Sequence, residues 1–320
     1  MIEFTLKHEV VGEVATFSGQ ADLQLPEPLP EAFGQYSVKI RNNNKNILRA
    51  TVAIQSLLAN EGIKAFFAKG AVWDRILRDV ENTRTSKDLD VYVQLDDVEP
   101  FSFALEREFQ ASALQPLEKS LSTLHHHSLW FEEFDIVVEV HWALAAPWHG
   151  LNFDINTALN STKRIDLLES RVETLSAPLM INFCALELSK DSWVSIKKIL
   201  DFSHAYQSAS EADRAAAVKL SRHGSYVRAL EVAKRVSAAL GLLNENLAPS
   251  DAFPGKAVAT VSDVAVRRLA EGGAPGSVTK RALEGLLYAS KHDRLRSRIY
   301  HCWRIIIVQR FRRWFGREVT

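Results

Sequence analysis

Along the first half of the chain, the hydrophobic pattern alternates between helical and strand periods. Ile47, Leu48, Val52, Ile54, Leu57 and Leu58 recur at helical spacing, and Asn60-Glu61-Gly62 supplies a C-terminal stop. An amphipathic helix is therefore expected over residues 39–60, followed by a strand at 63–68, a turn at Lys69-Gly70 and a short helix from Ala71 to about residue 79. The polar stretch 81–87 reads as a loop. At 87–93 the period becomes two, with Asp88 and Asp90 on one face and Leu89, Val91 and Val93 on the other. A helix is expected over 96–110, its apolar face built from Phe101, Phe103, Ala104, Leu105 and Phe109. A second alternating run at 134–142 sets Asp135, Val137, Glu139 and His141 against Phe134, Ile136, Val138, Val140 and Trp142.

After Pro147-Trp148-His149-Gly150 the pattern turns helical, with segments expected at 178–207, 214–222, 226–240, 262–271 and 277–315. Proline- and glycine-bearing stretches at 246–256 and 272–276 separate them. At the other end, residues 1–35 read as short extended segments, because Pro26, Pro28 and Pro30 disfavour regular structure. The expected organisation is an N-terminal extension at 1–38, an α+β domain at 39–150 with a mixed sheet flanked by helices, and an all-helical domain at 151–320.

Composition narrows the setting. A chain of 320 residues is long enough for two cores. Its formal net charge is zero, so attraction to nucleic acid or an anionic surface must come from a local patch. One candidate is 291–320, where nine basic residues against two acids interleave with Tyr300, Trp303, Phe311, Trp314 and Phe315. The apolar run Ile305-Ile306-Ile307-Val308 favours packing on a core there, with RNA binding as the alternative. Only Cys184 and Cys302 occur, both in apolar surroundings, which argues against a disulfide framework and for a reducing compartment. The N-terminus lacks a secretion-signal pattern and no apolar run is long enough to span a bilayer, so the cytoplasm is expected.

The chemistry gathers at the two alternating strands. Asp88 and Asp90 side by side repel, and a hard divalent cation such as Mg²⁺ relieves that repulsion. Glu139, in the middle of an apolar strand, is costly to bury unless it is paired or metal-bound. If the strands are neighbours, the three acids form the kind of cluster used in two-metal phosphoryl and nucleotidyl transfer. His141 shares Glu139's face, where it either orients the acid or contacts a nucleotide, or is simply a satisfied histidine at the sheet edge. Lys190, Trp193, Lys197 and Asp201 fall on one helical face; if it closes over a nucleotide, Lys190 or Lys197 would neutralise phosphate charge, and otherwise it is a solvated basic face with Trp193 packed inward. The run His125-His126-His127 invites a zinc reading. Three adjacent residues cannot all face one ion, however, and strand alternation sends His126 away from the other two.

These residues resemble the DNA polymerase beta-type nucleotidyltransferases, whose pattern is a glycine turn, a helix, apolar-Asp-apolar-Asp-apolar and an acid on a later strand. The Lys69-Gly70 turn, the 17 residues between Gly70 and Asp88, Arg84 ahead of the acids, and Glu139-Val140-His141-Trp142 look like a poorly characterised bacterial branch of that superfamily. The likeness is best over about residues 50–144. It implies a polymerase beta-like core followed by helices, with Asp88, Asp90 and Glu139 as metal ligands and catalytic acids. It also implies that Gly70 is the turn where backbone approaches the triphosphate of an NTP such as ATP. Lys69, Ala71, Arg84, Lys87, His141 and Lys190 would assist in nucleotide binding, with Mg²⁺ or Mn²⁺ as cofactor.

Two departures stand out. The superfamily's usual Gly-Ser or Gly-Gly reads Gly70-Ala71, so a hydroxyl contact to phosphate must be replaced by backbone N–H groups. A helical motif of the branch, two histidines around a lysine before a tryptophan, reads Glu187, Lys190, Asp191 and Trp193. The expected activity is transfer of a nucleoside monophosphate to an unidentified small-molecule, protein or RNA acceptor, with release of pyrophosphate. The alternatives are a catalytically weak nucleotide-sensing or partner-binding protein, such as half of a toxin and antitoxin pair, and an RNA-modifying transferase.

Overall fold

The computed structural model describes residues 9–20, 29–78, 83–144, 154–190, 193, 195–223, 226–243 and 255–270. Helix α1, Val11–Gln20, is followed by the long α2, Leu29–Glu61. Both run through the stretch expected to be extended. Pro30 lies in the first turn of α2, where a missing N–H breaks no intrahelical bond, so this proline starts a helix. In α2, Phe33, Ile40, Ile47, Ala50, Ile54, Leu57 and Leu58 form the buried stripe. The helix closes through Gly62, at φ 70°, and a bond from Ile63 N to Leu58 O of 3.0 Å.

Next come β1 (Ala65–Ala68), α3 (Gly70–Leu77), β2 (Asp88–Val93), a 3₁₀ turn at Leu95–Asp97, α4 (Val98–Phe109), β3 (Ser112–Ala113) and α5 (Leu117–Thr123). The chain continues with β4 (His126–Phe131), a second 3₁₀ turn at Glu132–Phe134 and β5 (Ile136–His141). After α6 (Ile155–Leu159), it forms β6 (Thr162–Leu167) and β7 (Ser170–Leu175). The seven strands form one mixed sheet in the order β3-β4-β5-β2-β1-β7-β6. Strand β2 lies at its centre, antiparallel to β1 and parallel to β5. Leu89, Val91, Tyr92 and Val93 are all buried, so this strand is covered on both faces.

Strands β6 and β7 correct the expectation of an all-helical chain beyond residue 150. They pair antiparallel across the two-residue turn Leu168-Glu169, with Leu168 at φ 52°. That turn lacks the Asn-Gly or Asp-Gly signature of a tight hairpin. The strands carry the cross-strand pairs Arg164–Glu173 (2.7 Å) and Arg171–Asp166 (3.1 Å) on one face and Ile165 opposite Val172 on the other. Thr174 anchors β7 beside β1 by donating its hydroxyl to Phe67 O at 2.7 Å.

By packing, the chain divides into two compact units, one of residues 1–146 with 153–179 and the other of 147–152 with 180–320. From Met180 on, the described residues of the second unit are helical. They comprise the rest of α7 (Ala177–Lys190), α8 (Ile196–Ser208), α9 (Glu211–His223), α10 (Val227–Ala239) and α11 (Gly255–Ala270). Helix α10 is central, buried through Val227, Ala229, Leu230, Val232, Ala233 and Val236, and packs on α8, α9 and α11.

One continuous helix was expected over 178–207, but two are found. Trp193 lies between them, fully buried at φ 58°, a backbone conformation an α-helix cannot contain. Cys184 is buried in α7. No described helix is long and apolar enough to cross a membrane. The expected helix at 277–315, the basic aromatic stretch and Cys302 lie outside the described residues.

Candidate active site

Strand β1 leads into Lys69 and Gly70, both at positive φ, 60° and 52°. For lysine this is a strained conformation that only its surroundings can hold. It turns the chain sharply into α3, whose first intrahelical bond runs from Trp73 N to Lys69 O at 3.1 Å. The amides of Gly70, Ala71 and Val72 precede the helical ladder and form the positive end of the helix dipole. A side chain on Gly70 would come within 3.4 Å of Ser86 Oγ and Asp88 O, so the glycine's bare face looks onto the segment that enters β2.

That segment is pinned from two sides. The buried Asp74 carboxylate of α3 accepts hydrogen bonds from Thr83 N, Thr83 Oγ1 and Arg84 N, each at 3.1 Å, and from Arg78 Nη1 at 3.0 Å. From α2, Asn44 Nδ2 donates to Arg84 O at 3.0 Å and Asn43 Nδ2 to Ser86 O at 2.7 Å. Sequence reasoning had not singled out Asp74 or Ser86. For Asp74 a signal existed: an acid inside the apolar run Ala71-Val72-Trp73-Asp74, four residues before Arg78, must be buried and paired.

Parallel pairing of β2 with β5 sets Asp90 directly opposite Glu139 and Tyr92 opposite His141. His141 Nε2 lies 2.8 Å from Asp90 Oδ1 and 3.1 Å from Glu139 Oε2, and Lys69 Nζ lies 3.0 Å from Asp90 Oδ1. Tyr92 stacks on His141 at 4.6 Å, and Phe66 stacks on Tyr92 at 4.8 Å. Ligand atoms of Asp90, Glu139 and His141 all lie within 4.8 Å of one another.

The electrostatics follow from this crowding. Burial alone would raise the Asp90 carboxyl, but Lys69 and His141 outweigh it and hold the group far below the carboxylate range. Glu139 is likewise depressed, since its bond to His141 overcomes the effect of burial. His141 is raised, because its bonds to Asp90 and Glu139 exceed the desolvation that would lower it.

Not every expected residue joins the group. Asp88 leads β2 on Asp90's face, half-buried and in register with Val137, and it belongs to no three-ligand set among the described residues. Two positions along a strand separate the aspartates by about 7 Å, whereas strand pairing brings Glu139 beside Asp90. The main partner of Lys87 is Glu9, with Asp88 contributing less. The lysine is exposed and ion-paired with Glu9, whose hydrogen bond raises its pKa. Arg84 is buried and held through its backbone, and Ala71 is buried in the first turn of α3. Lys190 belongs to the second unit, where it pairs with Glu187.

The histidine run is rearranged. His127, not His126, leaves the group: it is buried with Nδ1 3.0 Å from Ser120 Oγ. His126 pairs across the sheet with His141, and its Nε2 lies 3.7 Å from Glu139 Oε1. His125 precedes the strand, so alternation does not govern it.

No curated protein matches the chain. Two solved structures resemble it at 15% identity. One is the antibiotic-resistance factor ANT(2'')-Ia, described with substrate-regulated conformation dynamics, with a TM-score of 0.40 over 56% of this chain and 92% of that one. The other is an antigenic nucleotidyltransferase-like protein from Paracoccidioides brasiliensis, with a TM-score of 0.38 over 58% of this chain and 93% of that one. The model of a family described as uncharacterised nucleotidyltransferase matches residues 4–247, most of the chain, and the protein belongs to that family.

Proposed function

We propose that the protein transfers a nucleoside monophosphate from a nucleoside triphosphate to an acceptor, with pyrophosphate as the leaving group, and that the reaction depends on Mg²⁺ or Mn²⁺. The observation that carries this reading is the in-register pairing of Asp90 with Glu139, next to the strand that runs into the glycine turn. The donor set fits a hard divalent cation: two carboxylates meet across one strand gap, with a third acid, Asp88, on the same strand face. When bound there, such a cation supplies neutralisation of the triphosphate and a lowered pKa for the attacking acceptor group.

The chain's own groups have distinct tasks. The leading amides of α3 receive phosphate oxygens, aided by the helix dipole. Ser86, whose hydroxyl is buried without a hydrogen-bond partner beside Gly70, supplies the hydroxyl missing at Ala71. Lys69 balances the charge of Asp90 and is close enough to the turn to share it with a phosphate. His141 bridges Asp90 and Glu139 and fixes their spacing.

Incubation of the purified chain with each triphosphate labelled at the α-phosphate, divalent cation and cell extract will yield a labelled product identifiable by mass spectrometry. Asp90→Asn and Glu139→Gln will abolish labelling with unchanged circular dichroism. Wild-type labelling in both variants would sink the assignment. A second reading, nucleotide sensing without turnover, draws on the neutralisation of Asp90 by Lys69 and His141. Calorimetric nucleotide binding with no product across a broad acceptor panel would select it.

A further inference from the structure

We propose that His125, His126 and His141 form a binding site for a borderline divalent transition metal, of which Zn²⁺ is the type, next to the Asp90–Glu139 pair. Their ring centroids lie 4.9, 5.6 and 5.1 Å apart, and one ring nitrogen of each lies within 4.8 Å of the other two. The convergence is a product of the sheet. His126 and His141 are direct partners across the antiparallel β4–β5 pair. His125, just outside the strand, is pinned to the end of β5 by the bond from Trp142 N to His125 O at 3.2 Å.

Three imidazoles packed together gain little from one another, yet Nδ1 of both His126 and His141 is buried with no hydrogen-bond partner. Buried polar atoms are normally satisfied, and an unused imidazole nitrogen is a metal donor. Glu139 lies on the Nε2 side of two of the rings, with Oε2 3.1 Å from His141 Nε2 and Oε1 3.7 Å from His126 Nε2, and neighbours the histidine set without belonging to it. Three imidazole nitrogens, with water in the fourth position, suit tetrahedral Zn²⁺ or Co²⁺, whereas Mg²⁺ prefers an all-oxygen octahedron. Because His141 is shared with the acid pair, occupancy of the histidine site will change which ion best activates the enzyme.

The test uses full-length protein stripped with chelator and titrated with Co²⁺ in the absence of nucleotide, so a failed transferase assay has no bearing on it. One Co²⁺ per chain is expected, with the visible absorption of a nitrogen-rich tetrahedral site, displaced by Zn²⁺ and not by excess Mg²⁺. Losing a ligand costs at least as much as losing an outer-shell partner, so His125→Gln and His126→Gln should each weaken binding by roughly 10- to 100-fold or more. Asp88→Asn, which alters the acid cluster outside the triad, should leave both spectrum and affinity unchanged. If His126→Gln fails to fold, His125→Gln, outside the strand ladder, carries the comparison. No Co²⁺ binding, binding indifferent to the histidine changes, or binding lost in Asp88→Asn overturns the site.

Discussion

Asp74→Asn tests the idea that the entry to β2 is held by one buried carboxylate. The native group is 2% exposed and accepts four hydrogen bonds, two from backbone amides, one from the Thr83 hydroxyl and one from the Arg78 guanidinium. The amide is nearly isosteric, but it can accept on only one atom. Its NH₂ would face at least one of the donors now satisfied, and Arg78 would keep its pairing with Glu13, at 3.3 Å, while losing the anion at Asp74. Breaking a buried charged pair by altering one member typically costs about 3–5 kcal/mol. At about 1.4 kcal/mol per decade, that cost speeds exchange of the Thr83 and Arg84 amides roughly 10²- to 10³-fold or more, up to the limit set by global unfolding. Hydrogen exchange read by mass spectrometry over residues 83–87, alongside the untouched helices of the second unit, measures this. Exchange changed by less than about fivefold, equivalent to about 1 kcal/mol, would refute the proposed role of the carboxylate.

Three further outcomes are expected. Ser86→Ala should lower kcat/KM for the triphosphate by roughly 10- to 100-fold, the worth of one hydrogen bond to a charged group, with circular dichroism unchanged; an unaltered kcat/KM would remove Ser86 from the phosphate site. Gly12→Ala drives a methyl group into the Thr83 carbonyl oxygen, so denaturant titration should show a loss of about 1–3 kcal/mol, and no loss would mean that α1 does not bear on this segment. In chelator, the raised His141 contributes stability that is complete below its ordinary value of 6.5 and is lost as pH climbs through the higher folded value. The depressed Asp90 and Glu139 contribute stability that is present above 3.8 and 4.5 and is lost as pH falls through their folded values. A His141→Gln protein whose denaturation midpoint keeps the wild-type alkaline decline would contradict this linkage.

Much of the site was legible because the information is local. Alternation along residues 88–93 and 136–141 is a property of each strand alone, so the order of residues suffices to put Asp88 with Asp90 on one face of their strand, and Glu139 with His141 on one face of theirs. The same holds for the amphipathic stripe of α2 and its stop at Gly62. Where local signals are absent or misleading, periodicity fails. Pro30 looks like a breaker but starts α2, the hairpin of β6 and β7 has no turn signature, and Trp193 breaks a helix that periodicity alone would continue.

By itself, then, the sequence determined which side chains share a face and which acids are too costly to bury without partners, because covalent geometry and desolvation act residue by residue. Only the tertiary structure decided which of them meet. Strand order and register brought Asp90 to Glu139 rather than to Asp88, turned Lys87 to Glu9, and gathered His125 and His126, but not His127, around His141. Those choices depend on how segments far apart along the chain pair and pack, and the energies that select among them are absent from any one segment taken alone.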